Sequence, residues 1–299
     1  MYDTNVLVKQ IDKMPKEVIN RTSLPFYWNN IQWSPKYNPK ICEVTSYSAK
    51  FRNLDFKLTS SELIISNSLQ KFYMNNNYKP FTYSEVIKAI EELNDYFDFN
   101  LYTAQVRKTS VAVVINEIED NTFNNWLEYK GKKPFLMRNT TRIYGAHFKA
   151  INYNIKGYDK TYQAKLKSGV TVDKSLIRFE LEANYRYVNT GKNAIGIYTV
   201  ADLVNKQKFD ALADELLNVY DTIKKQPIIN YQELQPKEIM LMGAMKDKDS
   251  CMGLKKYHKD SYTLYRKKYA KLLESFTDSD LEKSIRSKII EQINYCKNN

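Results

Sequence analysis

From Glu43 onward, short runs of β-branched and aromatic residues alternate with polar ones. VTSYSAKFRNLDFKL is followed by SELIISNSLQKFYM, with NN and SS pairs where the chain can turn. Such runs predict at least two antiparallel strands. Ahead of them, residues 1–40 hold scattered prolines and aromatics (LPFYWNNIQWSPKYNP) with no sustained period, and they read as an N-terminal arm. The segment PFTYSEVIKAIEELNDYF changes the period: Thr82 or Ser84 stands where a cap belongs, and Val86, Ile87, Ile90 and Leu93 fall on one helical face. QVRKTSVAVVINEIE then reads as a buried strand and NTFNNWLEY as a short helix.

A second strand-rich set follows. TRIYGAHFKAI, YNIKGYDKTY and SLIRFELEANYRYV are three strand candidates, separated by the turn-like NYN and by KLKSGVTVDK, read as an exposed loop. Beyond Thr190 the pattern becomes helical. YTVADLVNKQKFDALADELLNVYDTIKK is a helical stretch interrupted once, and SYTLYRKKYAKLLESF and DLEKSIRSKIIEQINYC follow as further helices. The expected fold is α+β, an antiparallel sheet core with flanking helices. Its expected organisation is an arm over 1–40, a core domain over 41–190 and a helical C-terminal region over 191–299.

With 299 residues and 43% apolar composition the chain can bury a real core. No apolar run approaches the roughly 18 residues of a membrane span, and MYDTNVLVKQIDK is charged where a signal peptide is apolar. The expected location is the cytoplasm of a bacterial host, with no membrane partner. Cys42, Cys251 and Cys296 show no paired spacing of the kind that builds zinc sites, and only His147 and His258 are present, so chemistry needing two neighbouring histidines is excluded.

The charge of +12 points to an anionic partner. It is local: Lys130 to Arg186 carries 13 Lys or Arg against 4 Asp or Glu, a surplus of nine. Many of the 24 tyrosines lie beside Lys or Asn, which suits base stacking on a single strand. A compositional bias of the genome would produce the same pattern.

Two constellations carry candidate chemistry. In RFELEANYR, residues two apart share a strand face, so Glu180 and Glu182 present two carboxylates together while Phe179 and Leu181 face the core. Paired carboxylates on a rigid strand suit a hard divalent cation, Mg²⁺ or Mn²⁺; equally, they can pair with Arg178, Arg186 or nearby lysines. In IKGYDK, strand alternation places Lys156, Tyr158 and Lys160 on one face. Flanking ammonium groups would lower the cost of a phenolate and hold a phosphate beside it. A surface tyrosine between solvated lysines gives the same triplet.

Order and spacing add a resemblance over residues 60–190. IISNSLQKFYMNNNYKPFTYSEVIKAIEEL resembles the strand-plus-helix opening of plasmid and phage rolling-circle replication initiators. RIYGAHFKAINYNIKGYDKTYQ followed by LIRFELE resembles their Gly-containing strand, [YF]-[DEN]-K strand and R-[FIV]-E strand. Filamentous-phage replication endonucleases and staphylococcal-plasmid initiators show related forms. The resemblance implies an HUH-like core, with the histidines of that fold largely replaced. It also implies a metal-dependent, site-specific endonuclease and strand transferase that nicks and rejoins single-stranded origin DNA through a phosphotyrosine.

Carried over by position, Tyr158 matches the nucleophile and Lys160 its basic neighbour. Glu180 matches the acid of the last strand and Arg178 a phosphate contact. Strand spacing adds Glu182 to the metal candidates, and His147, on the Gly145-containing strand, is the candidate for a missing ligand; Arg142, Lys149, Lys156, Arg178 and Arg186 are the candidate DNA contacts. Tyr153 and Tyr162 stay open as alternative nucleophiles. The pattern departs from the family where QVRKTSVAVVI offers no acid before Glu117. No nucleotide-phosphate loop is present, so unwinding would fall to a host helicase alongside the polymerase; a dimer is compatible with all of this. Two other readings stand beside the enzyme. One is a non-catalytic origin-binding or regulatory protein on the same scaffold; the other is an RNA-binding module using a Tyr-rich sheet.

Overall fold

A computed structural model describes residues 1–299 except 98, 117–121, 170–171, 173, 192–193, 227–230, 275 and 277–279. The strands are β1 (Tyr2–Gln10), β2 (Phe26–Trp28), β3 (Ile31–Asn38), β4 (Glu43–Phe51), β5 (Leu54–Leu58), β6 (Glu62–Ser68), β7 (Gln105–Asn116), β8 (Trp126–Glu128), β9 (Phe135–Arg138), β10 (Ile143–Lys149), β11 (Tyr153–Asp159) and β12 (Leu176–Asn184). The helices are α1 (Lys16–Ile19), α2 (Leu69–Met74), α3 (Tyr83–Asn94), α4 (Lys160–Ser168), α5 (Tyr185–Asn189), α6 (Val200–Leu203), α7 (Lys206–Thr222), α8 (Pro236–Lys246), α9 (Lys248–Tyr257), α10 (Lys259–Glu274) and α11 (Asp280–Asn298).

Eleven strands form one antiparallel sheet in the order β2-β3-β4-β5-β6-β1-β7-β12-β11-β10-β9. The protein is therefore α+β, with a large antiparallel sheet and flanking helices that include a C-terminal one. The chain divides into two compact units, Met1–Lys224 with Ile285–Asn299, and Lys225–Ser284. No helix among the described residues is long and apolar enough to cross a membrane.

The N-terminal arm expected over 1–40 is not an arm. β1 lies in the middle of the sheet, hydrogen-bonded to β6 on one side and β7 on the other. A central strand is buried on both faces and loses the simple in-out alternation of an edge; here Asp3 and Asn5 are buried along with Tyr2, Leu7 and Val8. The core unit accordingly extends well outside 41–190, because α7 and α11 from Ile285 onward also belong to it.

Three local expectations are corrected in the same way. SELIISNSLQKFYM is a strand only to Ser68, whose hydroxyl accepts from Lys71 N and starts α2. The KLKS of the expected loop is the last part of α4, which Gly169 closes at φ 66°, a left-handed angle that glycine adopts without strain. Of NTFNNWLEY, Thr122–Asn125 form a single 3₁₀ turn and the chain then enters β8. Glu117, the first acid after QVRKTSVAVVI, lies outside the described residues.

Helix α3 forms as its sequence predicts, and Thr82 is the cap. Thr82 N donates to Glu85 Oε2 at 2.8 Å, while Glu85 N donates to Thr82 Oγ1 at 3.4 Å, a reciprocal capping box. Val86, Ile90 and Leu93 are buried and Ile87 half-buried.

The sheet has two different faces at β12. Phe179 packs edge-on against Trp126 and Tyr220, an apolar layer under α7. The opposite face carries Arg178, Glu180 and Glu182. In the other unit, α8, α9 and α10 pack on one another and bury Met242.

Candidate functional site

Strand register fixes which side chains meet. Opposite residues in an antiparallel pair share a face. Arg178, Glu180 and Glu182 stand opposite Tyr158, Lys156 and Asn154 of β11, which in turn stand opposite Gly145, His147 and Lys149 of β10. Tyr158, Glu180, Glu182, Lys156 and His147 therefore lie on one face, as the sequence pattern requires. Gly145 is needed there, since a Cβ would sit 2.7 Å from the Cβ of Tyr158 and 2.8 Å from the Gly157 carbonyl oxygen.

Lys160 is not on the strand. It is the first residue of α4, turned over the site by the Asp159 cap, whose Oδ1 accepts from Tyr162 N at 2.8 Å. Its ammonium still reaches the cluster, 6.0 Å from the centre of the Tyr158 ring. The resulting polar cleft of about 370 Å³ is lined by Asp3, Lys71, Lys156, Tyr158, Lys160 and Glu180, among others.

The central element is Arg178, 1% exposed. Its Nη2 donates to Asp3 Oδ2 at 2.7 Å, Nη1 to the Asn77 carbonyl at 2.9 Å, and Nε to Glu180 Oε2 at 3.3 Å. Glu180 Oε2 also accepts from the Tyr158 hydroxyl at 3.3 Å. Arg178 was expected to contact a phosphate. With three of its nitrogens donating to protein acceptors in the interior, it instead holds Asp3 and Glu180 in place.

Asp3 is the residue that sequence reasoning missed. Ser68 and Asn77 donate to its carboxylate as well, and the Arg178 guanidinium, acting against the cost of burial, holds its pKa below the ordinary value. Its signal in the sequence is an acid one residue after a large aromatic, just ahead of the apolar run Val6–Val8.

One expectation about charge is overturned. Lys156 and Lys160 were expected to ease ionisation of Tyr158; instead burial, and after it the Glu180 charge, push its pKa well above the usual phenol value. Lys156 donates to Glu182, which also accepts from Lys108 and Asn154 at 3.1 Å each. Burial alone would raise the Glu182 pKa, but Lys156, Lys108 and Asn154 bring it down to about 2. Lys160, 3% exposed, has its pKa lowered to about 7 by burial and then by Arg178. Its amine donates to Gln163 Oε1 at 2.7 Å.

The alternative nucleophiles fall away from the cleft. Tyr153 faces the opposite side of the sheet, its ring against Tyr129 and Tyr187. Tyr162 packs on Tyr144 in α4. Arg142 pairs with Asp159 at 2.5 Å, while Lys149 and Arg186 are exposed.

As arranged, these residues do not fit a divalent cation. Glu180 is engaged by Arg178, and Glu182 by Lys156 and Lys108. Among the described residues no group of three His, Cys, Asp or Glu side chains is set to hold a metal. His147 shares the face and carries a buried Nε2 without a hydrogen-bond partner; burial lowers its pKa, opposed by the neighbouring Asn154 amide.

No protein-family model matches the chain, and no curated protein matches it significantly.

Proposed function

We propose that this protein nicks and rejoins one strand of DNA through Tyr158, as a replication initiator of the rolling-circle kind on an HUH-like sheet. The observation that carries the reading is the hydroxyl of Tyr158 beside Glu180 at 3.3 Å on the wall of a cleft rich in lysine. A phenol whose pKa is held well above 10 is protonated at rest. It becomes a nucleophile only as a base takes its proton, and the carboxylate already accepting that hydrogen bond is placed to do so.

In the proposed step the Tyr158 oxygen bonds to phosphorus and the phenol proton passes to Glu180. The bond from phosphorus to the 3′ oxygen breaks, and the departing oxygen takes a proton from the Lys160 ammonium. An amine with a pKa of about 7 is matched to that donation near neutral pH. Lys156 supplies positive charge on the same face. Rejoining is the reverse displacement. No step is derived through a metal ion, because the carboxylates that would ligate one are paired with Arg178, Lys156 and Lys108.

The second reading, a non-catalytic DNA-binding protein on the same scaffold, is favoured by that same pairing and by the near-complete burial of Tyr158, 6% exposed. One experiment separates the two. The protein is incubated with an end-labelled, random-sequence single-stranded DNA pool, with Mn²⁺ and separately with EDTA, then denatured in SDS. A labelled adduct lost in Tyr158→Phe supports the nuclease. An adduct kept by that variant removes Tyr158 from the chemistry, and no adduct under either condition supports the binding protein.

A further inference from the structure

Helix α10, in the unit Lys225–Ser284, has an unusual environment for a helix of 16 residues. Of its described side chains only Tyr262, Tyr269, Leu272 and Leu273 are even half-buried, and all four fall on one side of the helical wheel. That side accounts for its packing on α8 and α9. At 100° per residue, Lys267, Lys268 and Lys271 project from the other side, all exposed.

The charge is uncompensated as well as exposed. Residues 248–274 hold eight Lys or Arg and three Asp or Glu, a surplus of five. Among the described residues none of Lys255, Lys256, Lys259, Arg266, Lys267, Lys268 or Lys271 forms an ion pair. Like charges at i and i+4, here Lys267 and Lys271, repel, and among the described residues no acid pairs with either to relieve that cost. A polyanion would relieve it.

We infer that the Lys267, Lys268 and Lys271 face of α10 is a docking surface for the phosphate backbone of duplex DNA. Geometry favours a duplex over a single strand. Single strands are held in concave grooves with aromatic rings turned toward the bases. This face is convex, and Tyr262 and Tyr269 are turned away from it. An α-helix exposed around most of its circumference matches the width of the major groove, and lysines flanking its axis match the phosphates along the rim. The identity of the polyanion rests on the reading of this chain as one that acts on DNA. The surface itself rests only on exposure and charge.

The test compares the full chain with the triple variant K267Q/K268Q/K271Q. A second triple variant, K36Q/K40Q/K57Q, makes the same change in net charge at three exposed lysines far along the chain. Binding to a random-sequence duplex is measured by fluorescence anisotropy across a salt series. Each phosphate contact contributes about 0.9 to the slope of log K against log salt, so loss of three should lower the slope by about 2.7. Affinity near 0.1 M salt should fall roughly tenfold or more, with the second variant close to wild type.

Equal weakening by both triple variants, no change in the α10 variant, or failure of the wild type to bind duplex would each overturn the inference. The covalent-adduct assay on single-stranded DNA reports on the Tyr158 cleft separately. Adduct formation without duplex binding removes the α10 surface and leaves the nuclease, and the converse leaves the surface and removes the nuclease.

Discussion

The Tyr158 hydroxyl and Glu180 Oε2 meet at 3.3 Å, although the two residues are not cross-strand partners: Tyr158 stands opposite Arg178, and Glu180 opposite Lys156. The contact is diagonal, made possible by the Arg178 side chain turning toward Asp3. Replacing Tyr158 by Phe removes one hydrogen bond but leaves Glu180 bonded to Arg178. Stability should fall by no more than about 3 kcal/mol, the upper range for a hydrogen bond to a charged group, measured by urea unfolding. A large loss of stability would mean that the hydroxyl is structural, and loss of adduct in that variant would then be uninterpretable as chemistry.

Asp3 and Arg178 form a deeply buried ion pair, at 7% and 1% side-chain exposure. Removing one partner of a buried pair leaves an uncompensated charge and costs about 3–5 kcal/mol. Asp3→Ala should therefore be strongly destabilising, and Asp3→Asn less so because the amide oxygen can still accept from Nη2. The control is Arg21→Ala at the pair with Glu43, where both side chains are more than half exposed; an exposed pair contributes about 1 kcal/mol or less. Equal effects of Asp3→Ala and Arg21→Ala in urea unfolding would show that Asp3 does not neutralise Arg178.

Much of this site could be read along the chain, and the part that could not has one cause. Alternation placed Tyr158 with Lys156, and Glu180 with Glu182, on shared faces because β11 and β12 are regular strands whose apolar residues, Ile155, Phe179 and Leu181, are all buried on the other side. The capping box fixed α3 for the same local reason. What local pattern misses is a residue brought in by a long-range pairing: Asp3 meets Arg178 only because β1 enters between β6 and β7. It also misses a polar residue buried for the sake of a partner. Asp3 and Asn5 made a central strand look like an irregular lead, and Lys160 looked like one more strand lysine until the Asp159 cap turned the chain into α4.

Lys160 should leave a mark on the pH dependence of stability. Its pKa falls from 10.5 to about 7 on folding, so between those values the unfolded chain holds the extra proton and stability rises with pH. The burden of the buried ammonium is fully present below pH 7 and relieved as pH climbs toward 10.5. Lys160→Met, which keeps the stem, should be more stable than wild type at pH 6 by a few kcal/mol, with the gap closing by pH 10. Parallel unfolding curves for the two proteins across that range would show that the amine keeps its ordinary affinity for protons.

Glu182 gives the same slope at lower pH for a different reason, because here folding favours the charged form. Its pKa is lowered on folding from 4.5 to about 2, so its contribution is present above pH 4.5 and is lost as pH falls toward 2. Glu182→Gln removes the charge that Lys156 and Lys108 share. The variant should be less stable than wild type at pH 7 and converge with it near pH 2. Convergence already complete at pH 4.5 would show that the two lysines do not hold the carboxylate.

Gly157 tests the other face of the same strand. A Cβ there would lie 2.3 Å from Trp126 Cη2 and 2.8 Å from Phe123 Cε1. Trp126 is 4% exposed and boxed in by Phe148, Phe179 and Tyr220, so the ring has nowhere to withdraw. Overpacking of this kind costs about 1–3 kcal/mol. It should move β11 outward, and with it Tyr158, the next residue on the cleft side. Gly169→Ala gives the comparison: its φ of 66° strains an alanine, but no atom lies within 4 Å of the added carbon. That substitution should cost about 1 kcal/mol and leave the near-UV signal of the buried tryptophans unchanged, whereas Gly157→Ala should alter both. An unchanged near-UV spectrum in Gly157→Ala would place Trp126 elsewhere than against this strand.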